Sequence, residues 1–327
     1  MEYKFKNLVF EGGGVKGIAY AGALEELDIM GILMGVKRVA GTSAGAITAT
    51  LLSVGYTPKE ISIIVGGTDF KKFEDNTFLF VRDIIRLFKK FGWNKGEVFK
   101  KWLGDLIEKK TGSPDFTFSE MYKANDKYKD LYIVVSNLTK QRADVLSYET
   151  SPNMSIRDAV RMSMSIPLFF ESTSNIDGDV IVDGGVVMNY PINVFDNIRY
   201  VYNIENCLKI DSSNDYAFNY ETLGFRVDSI KKVDYLNPNW PEEPYYTKGI
   251  KSFMGALLSF MMDMANKSHL TRNDWNRTIF IDSGDIKTTE FSLSKSKVGF
   301  LVNNGKSATL DYFNWKNSDE KWSKFPL

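Results

Sequence analysis

The chain has 327 residues, 43% of them hydrophobic and 25% charged, the balance of a globular protein able to bury a full core. Its 41 basic and 41 acidic side chains cancel, which excludes an overall field that would recruit nucleic acid or an anionic membrane. One cysteine, Cys207, and one histidine, His269, exclude an intrachain disulfide and the usual zinc ligand sets, so a metal-free mechanism is expected.

Met1 to Lys6 alternates charged and apolar residues and lacks the apolar core of a secretory signal. No stretch reaches the length of about 18 apolar residues that a membrane span needs. A cytoplasmic protein without a transmembrane segment is the expectation. Asn7-Leu8-Val9-Phe10 reads as a buried strand, and Glu11-Gly12-Gly13-Gly14-Val15-Lys16-Gly17 as a glycine loop running into a helix over Ile18 to Leu27. Gly12, Gly14 and Gly17 fit the GxGxxG of a dinucleotide site, but the next strand ends in Gly41-Thr42-Ser43 where that fold needs an acidic residue to hold a ribose. A Walker phosphate loop fails for want of Lys-Ser or Lys-Thr after the glycines.

Val39 to Ala49 reads as a strand, a sharp turn and a helix of small residues, the layout of a GxSxG nucleophile elbow centred on Ser43. Gly41 and Gly45 permit the helix to pack back across the strand. In a parallel sheet the first two strand-to-helix turns lie at one edge, so N–H groups of the glycine loop and of Ala44 are expected to converge on one oxygen. Gly66 to Thr111 is rich in lysine and aromatic residues and predicts helices over about Phe80–Phe91 and Gly96–Lys110, read as core helices with solvated lysines or as a membrane-facing cap.

Leu131 to Asn137 and Ala143 to Tyr148 are neighbouring strands, Ile156 to Met164 is a helix stopped by Pro167, and Val180 to Val182 is a strand halted by Asp183-Gly184-Gly185. That last turn places a carboxylate at a strand end, unless it is an ordinary Asp-Gly hairpin turn. Tyr200 to Ile204 reads as a further strand, and Asp211 to Pro244, rich in Asn, Asp and Pro, as long surface excursions. Gly249 to Ser268 is helical in pattern, with Phe253 to Met262 apolar enough to touch a lipid surface. Arg277 to Ile281 is a strand, and Lys295–Asn303 with Ala308–Trp315 are closing helices. With no internal repeat or linker, the economical organisation is one α/β domain over 1–327, with the motifs in a core of about 5–205 and an elaboration over 206–327.

Taken together, these motifs resemble the patatin-like phospholipase family. The glycine loop Gly12-Gly13-Gly14-Val15-Lys16-Gly17 is similar to the family's oxyanion loop, Gly41-Thr42-Ser43-Ala44-Gly45 to its nucleophile elbow, and Asp183-Gly184-Gly185 to its catalytic aspartate motif. Ala159 to Phe170 is similar to the segment that precedes that aspartate. The resemblance implies a three-layer α/β fold, with a mainly parallel central sheet and helices on both faces. It also implies a lipid acyl hydrolase acting on phospholipids or related acyl lipids at a membrane surface through a Ser43–Asp183 dyad, with no metal or organic cofactor required. Gly12, Gly13, Gly14 and Ala44 would supply the oxyanion hole, with Lys16, Gly17, Gly41, Gly45, Gly184 and Gly185 supporting the motifs. Two other readings stand beside it: a non-catalytic lipid- or protein-binding module, and a Ser43–Asp183–His269 triad, against which His269 falls near the end of a predicted helix.

Overall fold

The computed structural model describes residues 4–68, 70–73, 92–211, 213–229, 271–288 and 292–317, with 253, 256, 260 and 290 besides. In chain order these form β1 (Asn7–Phe10), α1 (Ala19–Ile29), β2 (Arg38–Thr42), α2 (Ala44–Ser53), α3 (Pro58–Gly67), β3 (Gly92–Asn94), α4 (Glu97–Thr111) and α5 (Phe118–Lys123). There follow β4 (Asp130–Asn137), β5 (Arg142–Leu146), α6 (Ile156–Ser163), β6 (Leu168–Phe170), β7 (Thr173–Ser174) and β8 (Val180–Asp183). The remainder comprises β9 (Cys207–Asp211), β10 (Tyr216–Asn219), β11 (Thr222–Asp228), α7 (Arg272–Trp275), β12 (Thr278–Asp282) and α8 (Lys295–Asn317). The predicted helices Phe80–Phe91 and Gly249–Ser268 lie almost wholly outside the described residues.

The central sheet runs β12-β11-β1-β2-β4-β8-β7, with β5 also paired to β4. From β12 to β4 every pair is parallel, whereas β5, β8 and β7 are added antiparallel. Period-2 alternation sorts the strands between two layers. Leu8, Phe10, Val39, Leu131, Ile133, Leu223, Phe225, Ile279 and Ile281 share one core with the helices, while Val9, Ala40 and Tyr132 face a smaller cluster built from Tyr190, Ile192, Phe195 and Tyr200.

The register on β4 positions everything that follows. Its residues 133–137 pair with β5 along one edge, which leaves the other edge to be shared by β2, opposite 130–134, and β8, opposite 135–137. The parallel strand ends at Thr42 opposite Val134, and the antiparallel strand arrives at Asp183 opposite Val135. Two chain ends therefore meet head-on beside one strand. A Cβ on Gly184 would overlap the Val134 carbonyl oxygen, so the turn after Asp183 has room only for glycine.

Three sequence expectations need correction. The run Asp211–Pro244 is not all surface excursion, because it contains β10 and β11, and β11 is an interior strand between β1 and β12. Tyr200–Ile204 is not a strand: the N–H groups of Tyr202 and Asn203 donate to the buried Glu221 carboxylate at 2.8 and 2.9 Å, which takes them out of any ladder. The two closing helices are one, α8, and at Gly305 the carbonyl of Ala19 in α1 comes too close to leave room for a Cβ.

Arg277 ties the smaller layer to the sheet. Wholly buried, it donates from both terminal nitrogens to Asp196 at 2.6 and 2.7 Å, to Asp274 at 2.7 Å and to the Asn219 carbonyl at 3.0 Å, and it lies 3.9 Å over the Phe218 ring. Removing one member of such a network strands the others as uncompensated buried charges. Arg277→Leu should therefore lower the unfolding free energy by about 3–5 kcal/mol in urea titrations. A loss below about 1 kcal/mol would show that the network does not join the two layers.

Candidate active site

Ser43 sits between the end of β2 and the start of α2 with φ 51° and ψ −122°. A non-glycine residue reaches that region only when its surroundings over-determine it, at a cost of about 1–3 kcal/mol. The surroundings do so here. A Cβ on Gly41 would run into the Gly45 backbone, and one on Gly45 into the carbonyls of Phe10 and Glu11, so the elbow folds back with backbone against backbone. Ser163 Oγ then accepts the Ser43 N–H at 2.8 Å and donates to the Val134 carbonyl at 2.7 Å, pinning the elbow to β4. The Ser43 hydroxyl meets Met164 Sδ at 3.5 Å.

Asp183 is completely buried at the head-on junction. Its Oδ1 accepts the Gly185 N–H at 2.8 Å, while Oδ2 meets no donor in full hydrogen-bond geometry. Burial pushes its pKa up to about 7, held from going higher by the nearby Ser43 hydroxyl and by the Gly185 N–H. The Ser43 hydroxyl thus neighbours the carboxyl without a full hydrogen bond to it.

On the other side of Ser43 lies the glycine loop. Gly14 has φ +54°, which suits glycine, and a Cβ there would overlap the Thr288 carbonyl that accepts the Val15 N–H at 3.2 Å. Among the described residues no protein acceptor takes the N–H of Gly13, Gly14 or Ala44. Gly12 differs from the sequence expectation: its N–H donates to the Asn189 carbonyl at 3.0 Å, and the Asn189 side chain donates back to the Gly12 carbonyl at 2.9 Å. Among the described residues the N–H groups of Gly13, Gly14 and Ala44 thus stand without a protein acceptor, the last of them at the N-terminus of α2.

Beneath the loop is a buried charged cluster. Glu11 Oε2 accepts the Val227 N–H at 2.9 Å and Oε1 lies 3.2 Å from Arg226 Nε, while Lys16 pairs with Asp228 at 2.9 Å. Burial raises the Glu11 pKa to about 7, opposed chiefly by Arg226. Lys16, which the sequence marks only as part of the loop motif, is therefore the loop's charged anchor to β11. Gly17 lets Ala44 approach, since its Cβ would stand 3.1 Å from the Ala44 Cβ.

Ser43, Asp183, Gly12, Gly13, Gly14 and Ala44 are brought together, and His269 lies outside the described residues. The sequence reading missed Asn189, Ser163, Met164 and the Arg226–Asp228 pair. Ser163 and Met164 fall in the segment Ala159–Phe170 already singled out, but nothing local distinguishes Asn189. No group of three His, Cys, Asp or Glu side chains among the described residues is arranged to hold a metal ion, and no described helix is long and apolar enough to cross a membrane.

The model of the family described as patatin-like phospholipase matches residues 8–196. An uncharacterized Bacillus subtilis protein, YqhO, is 32% identical over 317 residues, covering 92% of this chain and 95% of its own. The probable lipid hydrolase 463L of Invertebrate iridescent virus 6 is 32% identical over 212 residues, 63% of this chain and 68% of that protein. The crystal structure of VipD from Legionella pneumophila shares the fold at a TM-score of 0.64 and 19% identity, covering 95% of this chain and 67% of that one.

The raised pKa of Asp183 makes a statement about stability. A carboxyl whose pKa is higher in the folded than in the unfolded chain supports the fold when protonated: that support is complete below the unfolded value near 3.9 and is lost as pH rises through about 7. Asp183→Asn removes the dependence. Urea unfolding of both proteins should show the variant gaining on the wild type by up to about 4 kcal/mol between roughly pH 4 and 7. A difference that stays constant across that window would contradict the burial of an ionisable Asp183.

Proposed function

The chain belongs to the patatin-like phospholipase family, and on that premise we propose that it is a lipid acyl hydrolase that cleaves carboxylic ester bonds through Ser43 and Asp183. The observation that carries the reading is the head-on meeting of β2 and β8, which brings a strained serine and a buried carboxylate together, near a glycine loop whose Gly13 and Gly14 N–H groups, like that of Ala44, meet no protein acceptor among the described residues. The name of the relative 463L points to the same class of substrate.

In the proposed reaction the Ser43 oxygen attacks the ester carbonyl carbon, and its proton passes to Asp183. The carbonyl oxygen, now an oxyanion, is held by N–H groups of Gly13, Gly14 and Ala44. Collapse of the tetrahedral intermediate expels the alcohol, which takes the proton back from Asp183 and leaves an acyl-serine. Water then attacks the acyl carbon, giving its proton to Asp183, and the second collapse releases the fatty acid and restores Ser43. An aspartate of ordinary pKa is a poor base for a hydroxyl, and burial corrects that by bringing Asp183 to about 7. The same burial keeps the charged partner of the reaction out of water, where each donor counts for more.

Two consequences are measurable with a water-soluble acyl ester. Ser43→Ala and Asp183→Asn should each lower kcat by about 10⁴-fold or more, whereas His269→Ala should stay within about threefold of the wild type. Equal loss in His269→Ala would replace the dyad by a triad. Because the base must be ionised, kcat/KM of the wild type should rise with pH through a midpoint near 7. A profile already flat above roughly pH 5 would mean that the group with the raised pKa is not the base.

A further inference from the structure

Asn189 is 4% exposed and grips the first glycine of the loop twice. Its backbone carbonyl accepts the Gly12 N–H at 3.0 Å, and its side-chain Nδ2 donates to the Gly12 carbonyl at 2.9 Å. The remaining side-chain atom, Oδ1, is buried and meets no donor among the described residues. It packs against Gly12: the point where a Cβ on that glycine would stand lies 2.3 Å from Oδ1 and 3.2 Å from the Ser43 Cβ. An unpaired buried acceptor is destabilising, so an apolar side chain of similar shape would suit the fold about as well. The contact that distinguishes an amide at this position is the one made by Nδ2.

Glu11 decides which way the amide faces. Its Oε1 lies 3.4 Å from Nδ2, so both neighbours on that side, the Gly12 carbonyl and the Glu11 carboxyl, act as acceptors. Turning the amide over would set Oδ1 against two oxygens. Glu11 is itself fixed from β11, where its Oε2 accepts the Val227 N–H at 2.9 Å and its Oε1 lies 3.2 Å from Arg226 Nε. A trans peptide is planar, with its carbonyl and its N–H directed to opposite sides. The bond from Nδ2 to the Gly12 carbonyl therefore also sets the direction of the Gly13 N–H, which belongs to the same peptide and points away from Asn189. Between two glycines such a peptide turns over at little steric cost, because neither residue carries a Cβ. Among the described residues Nδ2 is the only donor to the Gly12 carbonyl, and no protein acceptor takes the Gly13 N–H. Turned over, that N–H would face the Nδ2 donor.

We propose that Asn189 is the positioning residue of the glycine loop: oriented by Glu11 and acting through the Gly12–Gly13 peptide, it holds the Gly13 N–H in the one of two directions that serves the oxyanion. The oxyanion itself rests on the ester-hydrolase reading above, whereas the control of the peptide by Asn189 does not.

Asn189→Leu tests it, and Asn189→Ala, which removes the same donor with a smaller side chain, keeps the test open if leucine does not fit. Crystal structures should show the Gly12–Gly13 peptide in one orientation in the wild type and turned over, or in both orientations, in the variants. With a water-soluble acyl ester, kcat of the variants should fall by about 10²-fold while KM stays within about threefold. The matching thionoester separates positioning from general damage. Its sulfur accepts hydrogen bonds poorly, so the loss there should stay within about fivefold and the ratio of oxoester to thionoester turnover should collapse. A packing defect alone slows both esters alike. The proposal is overturned if the peptide keeps its wild-type orientation in the variants, if the two esters lose turnover equally, or if the oxoester is not slowed. A wild type that turns over neither ester contradicts the hydrolase reading, and the orientation of the peptide in the variants then decides the positioning claim by itself.

Discussion

The shared edge of β4 is the constraint on which the rest depends. A strand has two edges, and β5 occupies one along residues 133–137, so β2 and β8 must divide the other between them. A parallel strand that ends and an antiparallel strand that arrives can do this only by meeting end to end. The meeting point is where Thr42 gives way to Ser43 and where Val182 reaches Asp183. Nucleophile and base candidates separated by 140 positions in sequence are thereby set by backbone pairing, which is stiffer than any side-chain contact. Ser163 closes the arrangement by bonding both the Ser43 N–H and the β4 backbone.

The same pairing explains the electrostatics. A carboxylate held inside a sheet by ladder bonds cannot reach water, so its charge is destabilised and its pKa rises. On the far side of Ser43 the glycine loop is held differently. It has no ladder of its own and is clamped from below by the Glu11, Lys16, Arg226 and Asp228 cluster and from the flanks by Asn189 and Thr288. These groups hold the loop in place, and among the described residues the N–H groups of Gly13 and Gly14 meet no protein acceptor, an arrangement that suits the oxyanion role proposed for them.

Much of this was legible in the residues themselves. The strands β1, β2, β4, β5, β8 and β12 and the helices α1, α2, α4 and α6 follow from apolar runs and their glycine or proline boundaries, and the elbow and the Asp183 turn fall where those boundaries predict. The interior strand β11 was not found, although Leu223, Phe225 and Val227 alternate cleanly. Its opposite face carries Gly224, Arg226 and Asp228, polar or small because Tyr190 packs against the glycine and because the two charges answer Glu11 and Lys16. A strand that serves a buried ion network looks like a loop when its partners are some 200 residues away. Tyr200–Ile204 misleads in the opposite sense, since Glu221 satisfies its N–H groups from a distance. The close approach of α1 to α8 at Gly305 also leaves no local mark in the sequence. The engagement of Gly12 by Asn189 is likewise a tertiary fact that no motif contains.

The account stands on Ser43 being a nucleophile activated by Asp183. Reaction with an alkyl fluorophosphonate, followed by peptide mass spectrometry, tests that claim without any assumption about the natural lipid. One phosphonyl group should be found per chain, on the peptide that contains Ser43, and its formation should slow by orders of magnitude in Asp183→Asn protein that unfolds as cooperatively as the wild type. Modification of a different serine, or labelling of Ser43 at the same rate without the Asp183 carboxylate, would contradict the account.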